Sequence, residues 1–154
     1  MQTTVRRYLE TDRSFFMGLV RDPIVMVAMD GPMSDERSEE IWACISNDAD
    51  PRCGRVLVDE KDQPLAHLAW HPSEHGDREV TFIVHPAHRG QGLATRGLRW
   101  MMDHLPGRLV ATVDLDHKVS RRVLEKVGFT LEKTVHKPED GGVPWCLYAR
   151  DTLV

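Results

Sequence analysis

Long apolar runs are missing from this chain of 154 residues. None approaches the roughly 20 residues that a membrane-crossing helix requires. The opening MQTTVRRYLETD lacks the apolar segment of a secretory signal, so a cytoplasmic protein is expected. Cysteine is scarce as well. Cys44, Cys53 and Cys146 are odd in number and form no C-x-x-C, which disfavours both a disulfide framework and a zinc site. Tyrosine is limited to Tyr8 and Tyr148, so few phenols are on hand for proton chemistry. No repeat or low-complexity segment is present.

What is there suits one ordinary globular unit. Apolar residues make up 41% and charged residues 29%, and the length fits a single domain over residues 1–154 with one continuous core. The net charge of −4 is unevenly spread: residues 87–137 hold ten Lys/Arg against five acids, leaving the remainder strongly acidic. A basic portion suits an anionic ligand and an acidic portion a cationic one.

The apolar patterning predicts the order β-α-α-β-β-β-α-β-α-β-β, a mixed α/β layout. VRRYLE reads as the first strand. TDRSFFMGLVRD reads as a helix capped by Thr11 or Asp12 and closed before Pro23. Ser34 is the expected N-cap of the second helix. GRVLVDEKDQPLAHLAWH reads as a hairpin, and REVTFIV as the strand after it. Leu93, Ala94, Gly97, Leu98, Met101, Met102 and Leu105 recur at helical spacing. GRLVATVDL, HKVSRRVLEKVGF, FTLEKTVH and VPWCLYAR complete the chain as strand, helix, strand and strand.

FIVHPAHRGQGLATRG stands at a strand-to-helix handover near the centre of this order. A helix start leaves about four amides without internal partners and carries the positive end of the macrodipole. Gly90 and Gly92 leave room for an anion to reach those donors, and Arg89 adds charge. The string lacks the Lys-Ser/Thr pair of a nucleotide-hydrolysing P-loop. It also lacks the third glycine of the dinucleotide pattern, where Thr95 stands. Asp114 falls near the position of a ribose-binding acid, so the dinucleotide reading stays open as an alternative.

The stretch Arg89-Gly90-Gln91-Gly92-Leu93-Ala94 resembles the R/Q-x-x-G-x-G/A signature of the GCN5-related N-acetyltransferases (GNAT). DLDHKVSRRVLEKVGF resembles that family's N-x-x-S-x-x-x-L-E-K-x-G-F, with Asp116 in place of the usual Asn. The N-terminal portion resembles the RimJ/RimL-like branch. The resemblance implies a mostly antiparallel central sheet of about seven strands flanked by about four helices. It implies acetyl-coenzyme A as co-substrate, with its diphosphate on Arg89, Gly90, Gln91, Gly92, Leu93, Ala94 and Thr95. It also implies pantetheine contacts from the main chain of Ile83 and Val84 and from Asp116.

Acyl transfer to an amine needs a proton acceptor, a polarised carbonyl and help for the leaving thiolate. The resemblance points to Glu79 as the base. His67 and His71, four apart on one strand face, are further candidates. With His75 they suggest a metal, but Pro72 and the turn break the spacing, so no metal is expected. The family's tyrosine acid is replaced by Leu124, which leaves Ser120 as the candidate partner of the sulfur. Leu124 has a structural reason to be there: if Gly128 ends the helix, Phe129 should pack back on it. Asp116 is the expected cap of the helix starting near His117. Arg96, Arg99, Lys118 and Arg121 are candidates for the 3′-phosphate.

The expected activity is acetyl transfer to a primary amine, a peptide N-terminus or a small molecule, by direct attack in a ternary complex. The alternative is a coenzyme A-binding sensor without chemistry. Neither nucleic acid nor membrane is an expected partner, and association into a homodimer is allowed for.

Overall fold

The computed structural model describes residues 1–47 and 53–151. Strand β1 (Thr3–Arg6) leads through a 3-10 turn (Glu10–Asp12) into α1 (Arg13–Val20). The strand starts two residues before the expected VRRYLE and shares only Val5 and Arg6 with it; Arg6 pairs its guanidinium with Asp12, 2.7 Å away. Asp12 precedes the helix as its N-cap, yet its carboxylate accepts the Leu9 amide at 2.8 Å instead of an amide of α1. Burial opposes ionisation of Asp12, but Arg6 and the Leu9 amide outweigh it and hold the carboxyl below its ordinary range. Helix α2 (Asp35–Ile45) starts as expected, with Ser34 Oγ accepting from the Arg37 amide at 3.0 Å.

Strands β2 (Cys53–Asp59), β3 (Pro64–Pro72) and β4 (Arg78–Val84) follow as an antiparallel meander. Then come α3 (Leu93–His104), β5 (Arg108–Asp114), α4 (Lys118–Lys126), β6 (Thr130–Val135) and β7 (Trp145–Asp151). They build one seven-stranded sheet in the order β1-β2-β3-β4-β5-β7-β6. The element order is the expected one, and so is the mostly antiparallel sheet. Among the described residues only β4 and β5 run parallel, joined through α3.

The sheet has two dressed faces. Leu68, Trp70, Val80, Leu109, Ala111 and Tyr148 pack under α3 and α4. Val56, Val58 and Ile83 pack under α1 and α2, with Phe16 and Trp42. Gly97 permits the close approach of α3: a Cβ there would lie 2.4 Å from Leu68 Cδ2. The end of α4 is the predicted stop. Phe129 N–H donates to the Leu124 carbonyl at 2.9 Å and Gly128 N–H to that of Glu125 at 3.1 Å, the two bonds of a Schellman cap. Leu124 and Phe129 are both buried in the same core cluster.

One irregularity of the sheet shapes the candidate site. Strands β4 and β5 pair only at Arg78–Leu109 and Glu79–Val110. Beyond that, β4 stays paired to β3 as far as Val84, and β5 stays paired to β7 as far as Asp114. The two strands therefore splay apart, and residues 80–84 and 111–114 face each other without a ladder between them.

Candidate active site

Parallel strands end at the same side, so the open end of the splay lies where β4 and β5 hand over to α3 and α4. Two helix N-termini with their unpaired amides flank one gap, the arrangement in which open α/β sheets bind ligands.

The handover from β4 is built tightly. His85 caps a 3-10 turn (Pro86–His88), its Nδ1 accepting from the Ala87 amide at 3.1 Å, and its ring stacks on Phe15 of α1. Gly90 and Gly92 follow with φ of 77° and 74°, a left-handed region that side chains with a Cβ disfavour. Gly92 is the N-cap of α3, and its carbonyl accepts the Arg96 amide at 3.1 Å. Among the described residues, nothing accepts from the amides of residues 90–95. Nothing lies within 4 Å of where a Cβ would stand on Gly90 or Gly92. Internal packing thus does not require either glycine, and the space over these donors is open. Arg89 and Gln91 are exposed at its rim, whereas Leu93 and Thr95 are buried and anchor the first turn. Such a run of donors at a helix start fits a diphosphate.

The handover from β5 differs from expectation. His117, and not Asp116, caps α4: its Nδ1 accepts from the Ser120 amide at 3.3 Å. Asp116 is exposed, and its carbonyl accepts from Lys118. Ser120 sits half-buried in the first turn of α4, with Oγ 3.4 Å from His117 Nε2.

Glu79 marks the closed end of the splay. Alternation along β4 puts Val80 into the core under α3, so Glu79 stands on the opposite face. It lies directly across from His71 on β3, with Nε2 and Oε2 3.0 Å apart. Thr112 of β5 donates its hydroxyl to the other carboxylate oxygen at 2.9 Å. His67 shares that strand face but not that setting: it is 4% exposed and lies 2.7 Å from the Tyr8 hydroxyl. Burial depresses its pKa to about 4. The side chain of His75 lies outside the described residues, and among those described no group of His, Cys, Asp and Glu is arranged to hold a metal.

Beside Glu79 and Thr112 the sheet face carries further negative charge. Burial raises the pKa of Asp114; Asp116 and Asp30, from the segment between α1 and α2, add to this and His117 opposes it. Both tyrosines are engaged elsewhere. Tyr8 is in the core, and Tyr148 donates to Glu125 at 2.6 Å while accepting from Arg121 at 3.0 Å. Two of the four candidate phosphate-binding cations are also committed: Arg96 bonds the Met1 carbonyl and Thr3, and Arg121 bonds Tyr148 and the Leu115 carbonyl. A cleft of about 290 Å³ beside Arg108 and Arg150 lies at the other end of β5. Its Arg108 is already paired with Asp77 and Glu132, so it offers little free charge.

Thr112 and His117 are candidate site residues that the sequence does not single out. Thr112 follows from register alone, and a histidine cap has a weak signature beside the usual Ser, Thr, Asp or Asn.

Residues 2–130 match the sequence profile of the acetyltransferase (GNAT) domain. No curated protein matches the chain by sequence. Among solved structures, the spermidine N-acetyltransferase of Vibrio cholerae in complex with CoA and spermine is similar with a TM-score of 0.84 and 16% identity, over 98% of this chain and 96% of that one. A phosphinothricin acetyltransferase from Sinorhizobium meliloti, in complex with AcCoA, gives 0.79 and 16%, over 97% and 88%. RimL, a ribosomal L7/L12 alpha-N-protein acetyltransferase in complex with coenzyme A, gives 0.82 and 17%, over 97% and 93%. At these identities the likeness speaks for the fold.

Proposed function

This chain belongs to the GNAT acetyltransferase family, whose members are N-acetyltransferases with acetyl-coenzyme A as co-substrate, and from that premise we propose that residues 1–154 form one catalytic domain acetylating a cationic primary amine. The observation that carries this reading is the open run of amides at residues 90–95, at the mouth of the splay between β4 and β5. Arg89, Gly90, Gln91, Gly92, Leu93, Ala94 and Thr95 would hold the diphosphate. The unpaired edge of β4 at Ile83 and Val84, with Asp116 opposite, would take the pantetheine arm as an added strand. Bound there, acetyl-coenzyme A supplies an acetyl group activated as a thioester.

The chain's own residues divide the remaining work. Glu79 takes the proton of the incoming ammonium, directly or through one water. An amide on the open edge of β4 donates to the carbonyl oxygen as charge develops on it. Ser120 donates to the departing sulfur, supported by the N-terminus of α4. The deprotonated amine would thus attack the thioester carbonyl directly in a ternary complex, the C–N bond forming before the C–S bond breaks and coenzyme A leaves as the thiol, with no covalent enzyme intermediate.

The acceptor is a small-molecule or peptide amine. Glu79, Asp114 and Asp30 favour a cation on this face. Ser120 and the likeness to RimL support a RimJ/RimL-like placement. The competing reading, a coenzyme A sensor, draws on Leu124, fully buried where a tyrosine acid would stand. Incubation with acetyl-coenzyme A and a panel of polyamines, aminoglycosides, amino acids and peptides, read as free thiol released, decides between them. Amine-dependent thiol release supports the enzyme. Thermal stabilisation by acetyl-coenzyme A without turnover on any amine supports the sensor.

A further inference from the structure

Three adjacent strands each send one polar side chain to the same spot on the open face of the sheet. His71 comes from β3, Glu79 from β4 and Thr112 from β5. Glu79 is the last β4 residue in the ladder to β5. The Thr112–Glu79 bond is thus a side-chain tie across the gap just where main-chain pairing gives out.

We infer that Thr112 and His71 are positioning residues for the Glu79 carboxylate. The inference rests on the reading of Glu79 as the proton acceptor and adds two residues that act through it. A free glutamate side chain samples several rotamers, and each misplaced one is unproductive. Here Oε1 accepts the Thr112 hydroxyl and Oε2 lies within hydrogen-bond reach of His71 Nε2. Each oxygen keeps further acceptor capacity, because an ionised carboxylate has about four lone-pair sites. Two tethers from opposite sides fix the plane of the carboxylate while leaving that capacity for the ammonium. His71 is 46% exposed on the β3 side, away from the splay, so its contact with the acceptor passes through Glu79. No proton is moved by either tether.

The test is a set of double-mutant cycles on the full chain. Thr112→Val keeps the shape and removes the donor, and Thr112→Ser keeps the donor. His71→Leu removes the ring donor, and His71→Gln places an amide donor near the position of Nε2. Glu79→Gln should lower kcat by about 10²-fold or more. Thr112→Val and His71→Leu should each lower kcat about tenfold, the scale of one hydrogen bond. KM for the amine and thermal stabilisation by acetyl-coenzyme A should stay near wild type. Thr112→Ser and His71→Gln should restore most of the rate. In the Glu79→Gln background, Thr112→Val and His71→Leu should have no further effect. The same loss in both backgrounds, or no loss of kcat in the wild-type background, overturns the positioning role and leaves Glu79 as base. A Glu79→Gln variant with wild-type kcat overturns both.

Discussion

The Tyr8 hydroxyl and His67 Nδ1 lie 2.7 Å apart in the core beneath α1 and α2. Burial keeps the phenol protonated and the imidazole neutral, so this is a bond between two uncharged groups. The folded-state pKa of His67, about 4, is below its ordinary 6.5, so the unfolded chain takes the proton first on acidification. The stability contributed by neutral His67 is complete above pH 6.5 and is lost as the pH falls towards 4. Urea unfolding across that range should show a loss of about 3 kcal/mol that His67→Gln lacks. Parallel curves for the two proteins would refute this account.

Gly92→Ala separates the fold's demand from the ligand's. In the free protein the methyl meets open space, so the cost is that of the left-handed backbone alone, about 1–2 kcal/mol. With acetyl-coenzyme A the same methyl stands in the volume assigned to the diphosphate. The variant should fold, melt a few degrees lower and gain no thermal stabilisation from the ligand. A ligand-induced shift equal to wild type would remove the cradle.

Asp114→Asn should trade function for stability. The folded-state pKa of Asp114 is raised, so its contribution to stability is present below its unfolded value and lost as the pH rises through the folded one. At pH 7 the charge is a burden, and the variant should melt above wild type; at pH 3 the two should coincide. KM for a cationic amine should rise by severalfold while acetyl-coenzyme A binding is kept. A lower melting temperature at pH 7 would contradict the electrostatic account.

Ser120→Ala and Tyr148→Phe compare the proposed donor to the leaving thiolate with a phenol engaged elsewhere. The Tyr148 hydroxyl is held between Glu125 and Arg121, so its removal should cost about 1 kcal/mol of stability and little kcat. Ser120→Ala should lower kcat about tenfold or more. Steady-state kinetics on the acceptor found in the amine panel checks both, and a reversed order would move the acid to Tyr148.

Much of this molecule is legible in its sequence because local chemistry sets it. The element order, the Ser34 cap, the helix stop at LEKVGF and the glycine handover each follow from residues close together in the chain. Gly97 is legible as part of the helical stripe, although its close approach to Leu68 is not. What escapes the sequence is register and distance. His67 and His71 have the same strand spacing, yet one is sealed under α1 and α2 and the other stands beside Glu79. Arg96 looks like a phosphate ligand until the fold brings the N-terminus to it. Asp12 stands at the cap of α1 but serves Leu9 and Arg6, and Asp116 falls one residue short of the cap of α4, which is His117.

A sheet that parts in its middle has four margins where an unbroken one has two. The main-chain ladder between its halves, β1 to β4 and β5 to β7, is two residue pairs long, and side-chain ties such as Thr112–Glu79 and Arg108–Asp77 add to it. Helix α3 lies across the seam, with Leu98, Met101 and Leu105 in one cluster with Leu68 and Val80 on one side and Leu109 and Ala111 on the other. The helix that offers its first amides to a ligand is therefore also the splint between the two leaves, so whatever steadies its first turn bears on how firmly they are held together.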